Sequence, residues 1–165
     1  MLYSLPHINS TSPYLVMMDT EETVRFITDE GVEYKVAFIE DDNLGIDNAY
    51  QLVISNTSKT KKKGVDTNIG KTIAAIVNSF FIDNQKVLLF ICDTSDNHQA
   101  ARNRKFSSWF RQYADLTNIT METEVIKVEE NAYFISVIYC RNTENALSVP
   151  QLFHSYIQEL RSKLD

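Results

Sequence analysis

The densest group of chemically reactive side chains lies between positions 92 and 98. Cys92, Asp93, Asp96 and His98 occur here, directly after the apolar run of residues 87–91. A thiol or carboxylate at the end of a buried strand can act as a nucleophile or a general base when a second titratable group lies beside it. Cys92 and Asp93 are therefore the candidate catalytic residues, and the sequence leaves open whether the chain is an enzyme.

The same residues also have a structural interpretation. Cys92 fits a buried strand end, Ser95 or Asp96 fits a helix N-cap, and Asp93 fits an ion pair with Arg102. We prefer this interpretation because caps and ion pairs are common, whereas a lone cysteine needs a correctly placed base to react. Since no second cluster of potential ligands accompanies Asp93, Asp96 and His98, we predict no metal site.

A second group of candidate residues is basic and precedes a predicted helix. Lysine side chains and the free amide groups of a helix N-terminus both attract anions. Asp66 or Thr67 can cap that helix. The segment from Gly64 to Thr72 is not a phosphate-binding loop, because five residues separate its glycines instead of four. The candidate ligand-binding residues in this segment are Lys61, Lys62, Lys63, Gly64 and Thr67.

Hydropathy patterns predict the elements that position these groups. Alternating apolar residues indicate strands, and apolar residues spaced three or four apart indicate amphipathic helices. The predicted strands cover residues 24–28, 32–38, 50–55, 86–92, 121–128 and 133–140. The predicted helices begin at 66 or 67, after 96 and at 148. The order is β-β-β-α-β-α-β-β-α, which predicts a single α+β domain over residues 21–165, with a mixed, mostly antiparallel sheet after an irregular lead-in over residues 1–20. Phe106, Trp109, Phe110 and Tyr113 form an aromatic stripe that we assign to the core.

The predicted crossover brings the two groups of candidate residues together. The strands at 50–55 and 86–92 are joined through a helix, so they should run parallel and share a carboxyl-terminal edge. Ligands bind at such edges in open sheets. Asn97 and Arg102, which follow the second strand, therefore join the candidate ligand-binding residues.

Composition limits the partners and the compartment. Sixteen basic and 22 acidic residues give a net charge of −6, which argues against nucleic-acid binding. The start of the chain lacks a basic, apolar leader, and no apolar run is long enough to cross a membrane. With only two cysteines, far apart in sequence, we expect no disulfide framework and a cytoplasmic protein.

The order of elements resembles that of the N-acetyltransferase superfamily, whose cofactor is acetyl-coenzyme A. In that family a basic, glycine-containing loop before the first crossover helix holds the cofactor diphosphate, and the corresponding residues here are 61–67. Asp66 stands where the family has a small residue. The segment from Asp96 to Ala100 is similar to an Asn-x-x-Ala motif of the family, although Arg104 replaces a tyrosine that often follows. The resemblance implies the fold and the alternative function of an acyl-coenzyme-A-dependent N-acyltransferase.

A second resemblance comes from the residues that surround the candidate site. The segments 91–96 and 102–110, with Asp66 and the helix from Thr72 to Phe81, resemble a family of small bacterial proteins of unknown function. That family implies no activity, cofactor or partner. The sequence therefore favours a binding or regulatory module whose partner is an anionic small molecule or a protein.

Overall fold

The computed structural model describes residues 2–57, 66–92 and 99–164, except for the side chains at 92 and 99–102. The described residues form four helices and seven strands. The helices are α1 (Leu5–Thr11), α2 (Thr67–Phe80), α3 (Gln99–Tyr113) and α4 (Asn145–Leu164). The strands are β1 (Met17–Thr20), β2 (Thr23–Ile27), β3 (Glu33–Glu40), β4 (Ala49–Asn56), β5 (Val87–Cys92), β6 (Ile119–Val128) and β7 (Asn131–Cys140).

All seven strands belong to one sheet, in the order β1-β2-β3-β4-β5-β7-β6. Among the described strands only β4 and β5 pair in parallel, and every other neighbouring pair is antiparallel. This confirms the predicted α+β domain with a mixed, mostly antiparallel sheet. From β2 to β7 the elements follow the order that the resemblance to the N-acetyltransferases implies.

The sheet is covered on both faces around β5. Leu88 and Phe90 pack in the core formed with α1, α2 and α3, whereas Val87 and Leu89 pack in a second core beneath α4. Because alternate residues of a strand point to opposite faces, a strand covered on both sides must be apolar throughout. This explains the continuous apolar run before Cys92.

The N-terminal region is more ordered than the sequence predicts. Residues 1–20 are predicted to be irregular, but they contain α1 and β1. The backbone amide of Ser4 donates to the Ser79 hydroxyl at 2.9 Å, and Ile8 is fully buried. A helix of seven residues with one buried side chain has no readable periodicity. Its order depends on contacts with α2, which a local pattern does not reveal.

The last helix also begins earlier than predicted. It begins at Asn145 instead of Ser148, so that Pro150 lies inside the helix and not in its first turn. The Asn145 side-chain amide donates to the Gln85 carbonyl at 2.8 Å. This long-range hydrogen bond anchors the first turn, and the capping-box spacing around Ser148 gave no indication of it.

Lys86 is a buried cation immediately before β5. It is 9% exposed, its Nζ donates to the Leu2 carbonyl at 3.4 Å, and it lies 5.0 Å from the centroid of the Phe80 ring. Burial lowers the pKa of the Lys86 amine, and the neighbouring Asp83 carboxylate opposes this effect. The folded protein therefore favours the neutral amine more strongly than the unfolded chain does.

A pH titration of stability tests this assignment. Relative to Lys86→Met, the free energy of unfolding of the wild type should rise as the pH increases from 7 to about 10.5, because an amine with a lowered folded pKa stabilises the fold once it is neutral. If the pKa of Lys86 is lower by one in the folded protein than in the unfolded chain, the free energy of unfolding rises by about 1.4 kcal/mol over this range. Urea unfolding of both proteins at the two pH values measures the effect. The tyrosines also titrate near pH 10, but they do so in both proteins, so their contribution cancels in the difference between the wild type and the variant. If the difference in free energy of unfolding between the wild type and Lys86→Met does not change with pH, the pKa of Lys86 is not lowered in the folded protein.

Candidate functional site

The parallel strands β4 and β5 pair over a short distance and then separate. Their paired residues are Ala49 to Leu52 on β4 and Val87 to Phe90 on β5. Beyond that point β4 remains paired with β3 as far as Asn56, and β5 remains paired with β7 as far as Cys92. The predicted parallel pair is confirmed, and a wedge opens between the carboxyl-terminal ends of the two strands.

The wedge contains a cavity of about 470 Å³. β3 and β4 form one wall, β5 contributes the base, and α3 forms the opposite wall. Its volume lies in the range of small-molecule sites, roughly 300–1,000 Å³. The lining residues are Tyr34, Ile54, Ser55, Asn56, Phe90, Lys105, Phe106 and Trp109. We call this space the wedge cavity.

Aromatic rings form the floor of the wedge cavity. Phe90 and Phe106 are buried, and their rings stack at 4.2 Å between centroids with an interplanar angle of 23°. Trp109 packs so closely against α2 that a Cβ atom at Gly70 would lie 2.3 Å from its Cδ1. Because Trp109 is the only tryptophan of the chain, its fluorescence reports directly on this cavity.

Polar groups lie at the rim of the same cavity. The Lys105 Nζ lies 5.5 Å from the centroid of the Trp109 ring, and Ser55 is exposed. Burial, with the Asp66 charge second, raises the pKa of the Tyr34 hydroxyl. A tyrosine hydroxyl is protonated at neutral pH and can donate a hydrogen bond. The cavity can thus hold an apolar body and pair one polar or anionic end with these groups.

The N-terminus of α2 is capped by a carboxylate. Asp66 is the N-cap, and its Oδ1 accepts the Asn68 amide at 2.9 Å while its Oδ2 accepts the Tyr14 hydroxyl. The carboxylate therefore satisfies an amide that would otherwise attract a phosphate and adds negative charge at that point. A diphosphate, which the resemblance to the N-acetyltransferases implies, would meet this negative charge at the described end of the helix.

The predicted site residues are only partly covered by the described structure. Thr67 is the first residue of α2 and is exposed. Cys92 ends β5 opposite Phe134, and Arg102 lies in the first turn of α3, with neither side chain described. The residues that lie outside the described structure are Lys61, Lys62, Lys63, Gly64, Asp93, Asp96, Asn97 and His98.

Sequence reasoning did not find the lining of the wedge cavity. The aromatic stripe of α3 is assigned to the core, and Phe106 and Phe110 are indeed buried. However, Phe106 and Trp109 also face the cavity, and Lys105 extends along its rim. The missed signal is a cation next to the stripe, opposite two adjacent strands, β3 and β4, whose residues 34 and 54 lie on the same face of the sheet.

A larger cavity of about 510 Å³ lies elsewhere, between α1, α2 and the turns before β6 and α4. Asn78, Asp115 and Asn142 line it, and Cys140 lies in its wall. Burial, with the charges of Asp115 and Asp83, raises the pKa of the Cys140 thiol and so disfavours its reactive thiolate form. Cys140 is a buried cysteine that forms no disulfide.

Two absences hold for the described part of the chain. Residues 2–57, 66–92 and 99–164 contain no group of three or more histidine, cysteine or acidic side chains placed to hold a metal ion. No helix in these ranges has the length and apolar character needed to cross a membrane.

Comparisons with known proteins give one structural and one family match. The solved structure of a CoA-dependent acyl-homoserine lactone synthase, MesI, is similar over 84% of this chain and 70% of its own, with 9% identity and a TM-score of 0.40. No curated protein matches the chain. The family model of DUF6169 matches residues 65–155, more than half of the 165 residues. The predicted membership of a family of unknown function is confirmed: the chain belongs to the family of unknown function DUF6169.

Proposed function

We propose that this chain is a binding or regulatory module that holds a small ligand in the wedge cavity. One observation carries the proposal: β4 and β5 pair in parallel and then separate around about 470 Å³ of space. A concave, mostly apolar space with a few polar groups at its rim is the usual form of a ligand site.

The lining suggests the chemistry of the ligand. Phe90, Phe106 and Trp109 favour an apolar or aromatic body, which they can cover or stack against. The ammonium group of Lys105 favours a single anionic group at the other end. The lysines at 61–63 lie outside the described residues and stay candidate ligand-binding residues on the sequence alone.

An aromatic sulfonate dye, anilinonaphthalene sulfonate (ANS), is a suitable probe because it combines an aromatic body with one anion. Excitation of Trp109 should transfer energy to a bound dye, since this tryptophan lines the cavity. We expect saturable binding of one dye with quenching of Trp109. Near-ultraviolet circular dichroism checks that the protein stays native, because partly unfolded states also bind ANS. Dye binding without quenching of Trp109 contradicts the proposal.

Two neighbouring basic residues of α3 provide a matched test of the anionic end. Lys105 lines the cavity and Arg104 does not, although both are exposed on the same helix. Lys105→Ala should weaken ANS binding about threefold to tenfold, the effect of losing one partly exposed charge pair. Arg104→Ala removes the same charge and should change the affinity by less than about twofold. Equal losses in the two variants would show that the dye responds to net charge and not to the wedge cavity.

Acyl-coenzyme-A-dependent N-acyltransfer is the second candidate function. The observation that favours it is the separation of β4 and β5, together with the order of elements. The capping carboxylate of Asp66 opposes it. Thermal unfolding with acetyl-coenzyme A tests this candidate, because a ligand that binds the native state raises the midpoint. A midpoint that does not move at millimolar cofactor rules it out.

A further inference from the structure

We infer that Asp66 is a specificity-determining residue that excludes diphosphate-bearing ligands from the wedge cavity. The inference rests on the proposed function, since it concerns which ligands this cavity accepts. It assigns the ligand to a class of compact monoanions with an apolar body and excludes nucleotides and coenzyme A.

Asp66 is held in place at both side-chain oxygens. Its Oδ1 accepts the Asn68 amide at 2.9 Å, and its Oδ2 accepts the hydroxyl of Tyr14, a residue that is itself buried. Its main-chain carbonyl accepts the Ile69 amide at 3.3 Å. A carboxylate fixed in this way does not swing aside for an incoming anion without breaking two hydrogen bonds.

Asp66 also occupies the place where a phosphate would be stabilised most by α2. The amides of the first helical turn carry partial positive charge and form an anion site when they are free. Here the Asp66 carboxylate already accepts a hydrogen bond from one of these amides. The first turn of α2 contains no acidic or basic residue that would change the local charge. The nearest lysine of α2, Lys71, lies 5.8 Å from the ring centroid of Tyr113 on α3.

A series of contacting side chains connects Asp66 to the wedge cavity. Tyr14, which binds Asp66, stacks on Phe26 at 6.0 Å between ring centroids, and Phe26 stacks on Tyr34 at 5.3 Å. Tyr34 lines the cavity. The Asp66 charge also contributes to the raised pKa of Tyr34, after burial. Its negative charge therefore acts on the same wall that a ligand would touch.

The variant Asp66→Asn tests the inference, because asparagine is an equally good N-cap without the charge. Two probes are compared by quenching of Trp109: acetyl-coenzyme A, and S-acetylpantetheine, which has the same thioester arm but no diphosphate. We expect acetyl-coenzyme A to bind Asp66→Asn at least about tenfold more tightly than the wild type. S-acetylpantetheine should bind both proteins within about twofold of each other.

Asp47→Asn is the control for net charge, since Asp47 is exposed in the loop between β3 and β4, before the strand that ends at the wedge. It should leave the affinity for acetyl-coenzyme A unchanged. If Asp66→Asn proves unstable, Asp66→Ser replaces it, because serine also caps helices.

A gain in affinity for acetyl-coenzyme A that is confined to the Asp66 variant supports the inference. Equal affinity in the wild type and the variant, or no binding to either, overturns it. The proposed function is judged separately by ANS binding to the wild type. Failure of ANS to quench Trp109 would remove the proposed function, whatever the Asp66 variant does.

Discussion

Phe106→Ala is expected to lower the free energy of unfolding by about 3–5 kcal/mol, the usual effect of truncating a buried phenylalanine. Phe106 is 3% exposed and stacks on Phe90, so that its removal leaves a void between α3 and β5. Since domains are stable by only about 5–15 kcal/mol, this variant should be close to unfolding. It should also lose ANS binding, because the floor of the wedge cavity collapses or fills with water.

Urea unfolding followed by far-ultraviolet circular dichroism measures this loss. Phe106→Leu keeps an apolar side chain, should cost about 1–2 kcal/mol, and allows the dye to be titrated against a folded protein. The control is Leu147→Ala, which removes an apolar side chain that is 82% exposed and should change stability by less than about 0.5 kcal/mol. A loss below about 1 kcal/mol for Phe106→Ala would mean that α3 does not pack on β5 as described.

Gly70→Ala is expected to destabilise the protein by up to about 2 kcal/mol, although alanine is the better helix former by about 1 kcal/mol. The added Cβ would lie 2.3 Å from the Cδ1 and 2.7 Å from the Cγ of Trp109, which is closer than real side chains approach. The ring must move away from α2 or α2 must shift, and overpacking of this kind usually costs about 1–3 kcal/mol. Trp109 fluorescence should shift as well.

The double variant Gly70→Ala with Trp109→Leu separates the clash from other effects. If the clash is the cause, the loss of stability in the double variant should be smaller than the sum of the two single losses by about 1 kcal/mol. Lys71→Ala, at the next and exposed position of α2, controls for alanine in this helix. A more stable Gly70→Ala protein would contradict the close packing of α2 against α3.

The sequence predicts the sheet well because its signals are local. The apolar run of β5 and the helix stripe of α2 lead to a crossover unit, and such units have parallel strands. The structure confirms this pair at Leu52 and Phe90. A short polar residue before an amphipathic helix is a typical N-cap, and Asp66 is the N-cap of α2.

The site is harder to predict because long-range contacts define it. Pairing of β4 and β5 stops at Leu52 and Phe90, and no local pattern indicates where two strands separate. Trp109 has the spacing of a core residue, and only its position against Gly70 brings it to the cavity. The same limit applies to α1, whose order depends on Ser79, a residue 75 positions away from Ser4.

Amide chemical-shift mapping with ANS tests the central claim, that the wedge cavity is the ligand site, most directly. The account predicts saturable shifts in residues 53–56 of β4, 90–92 of β5 and 103–109 of α3. Amides around Asn78 and Asn142, which line the larger cavity, should not move. Shifts confined to that larger cavity, or spread without pattern over the sheet, would contradict the account.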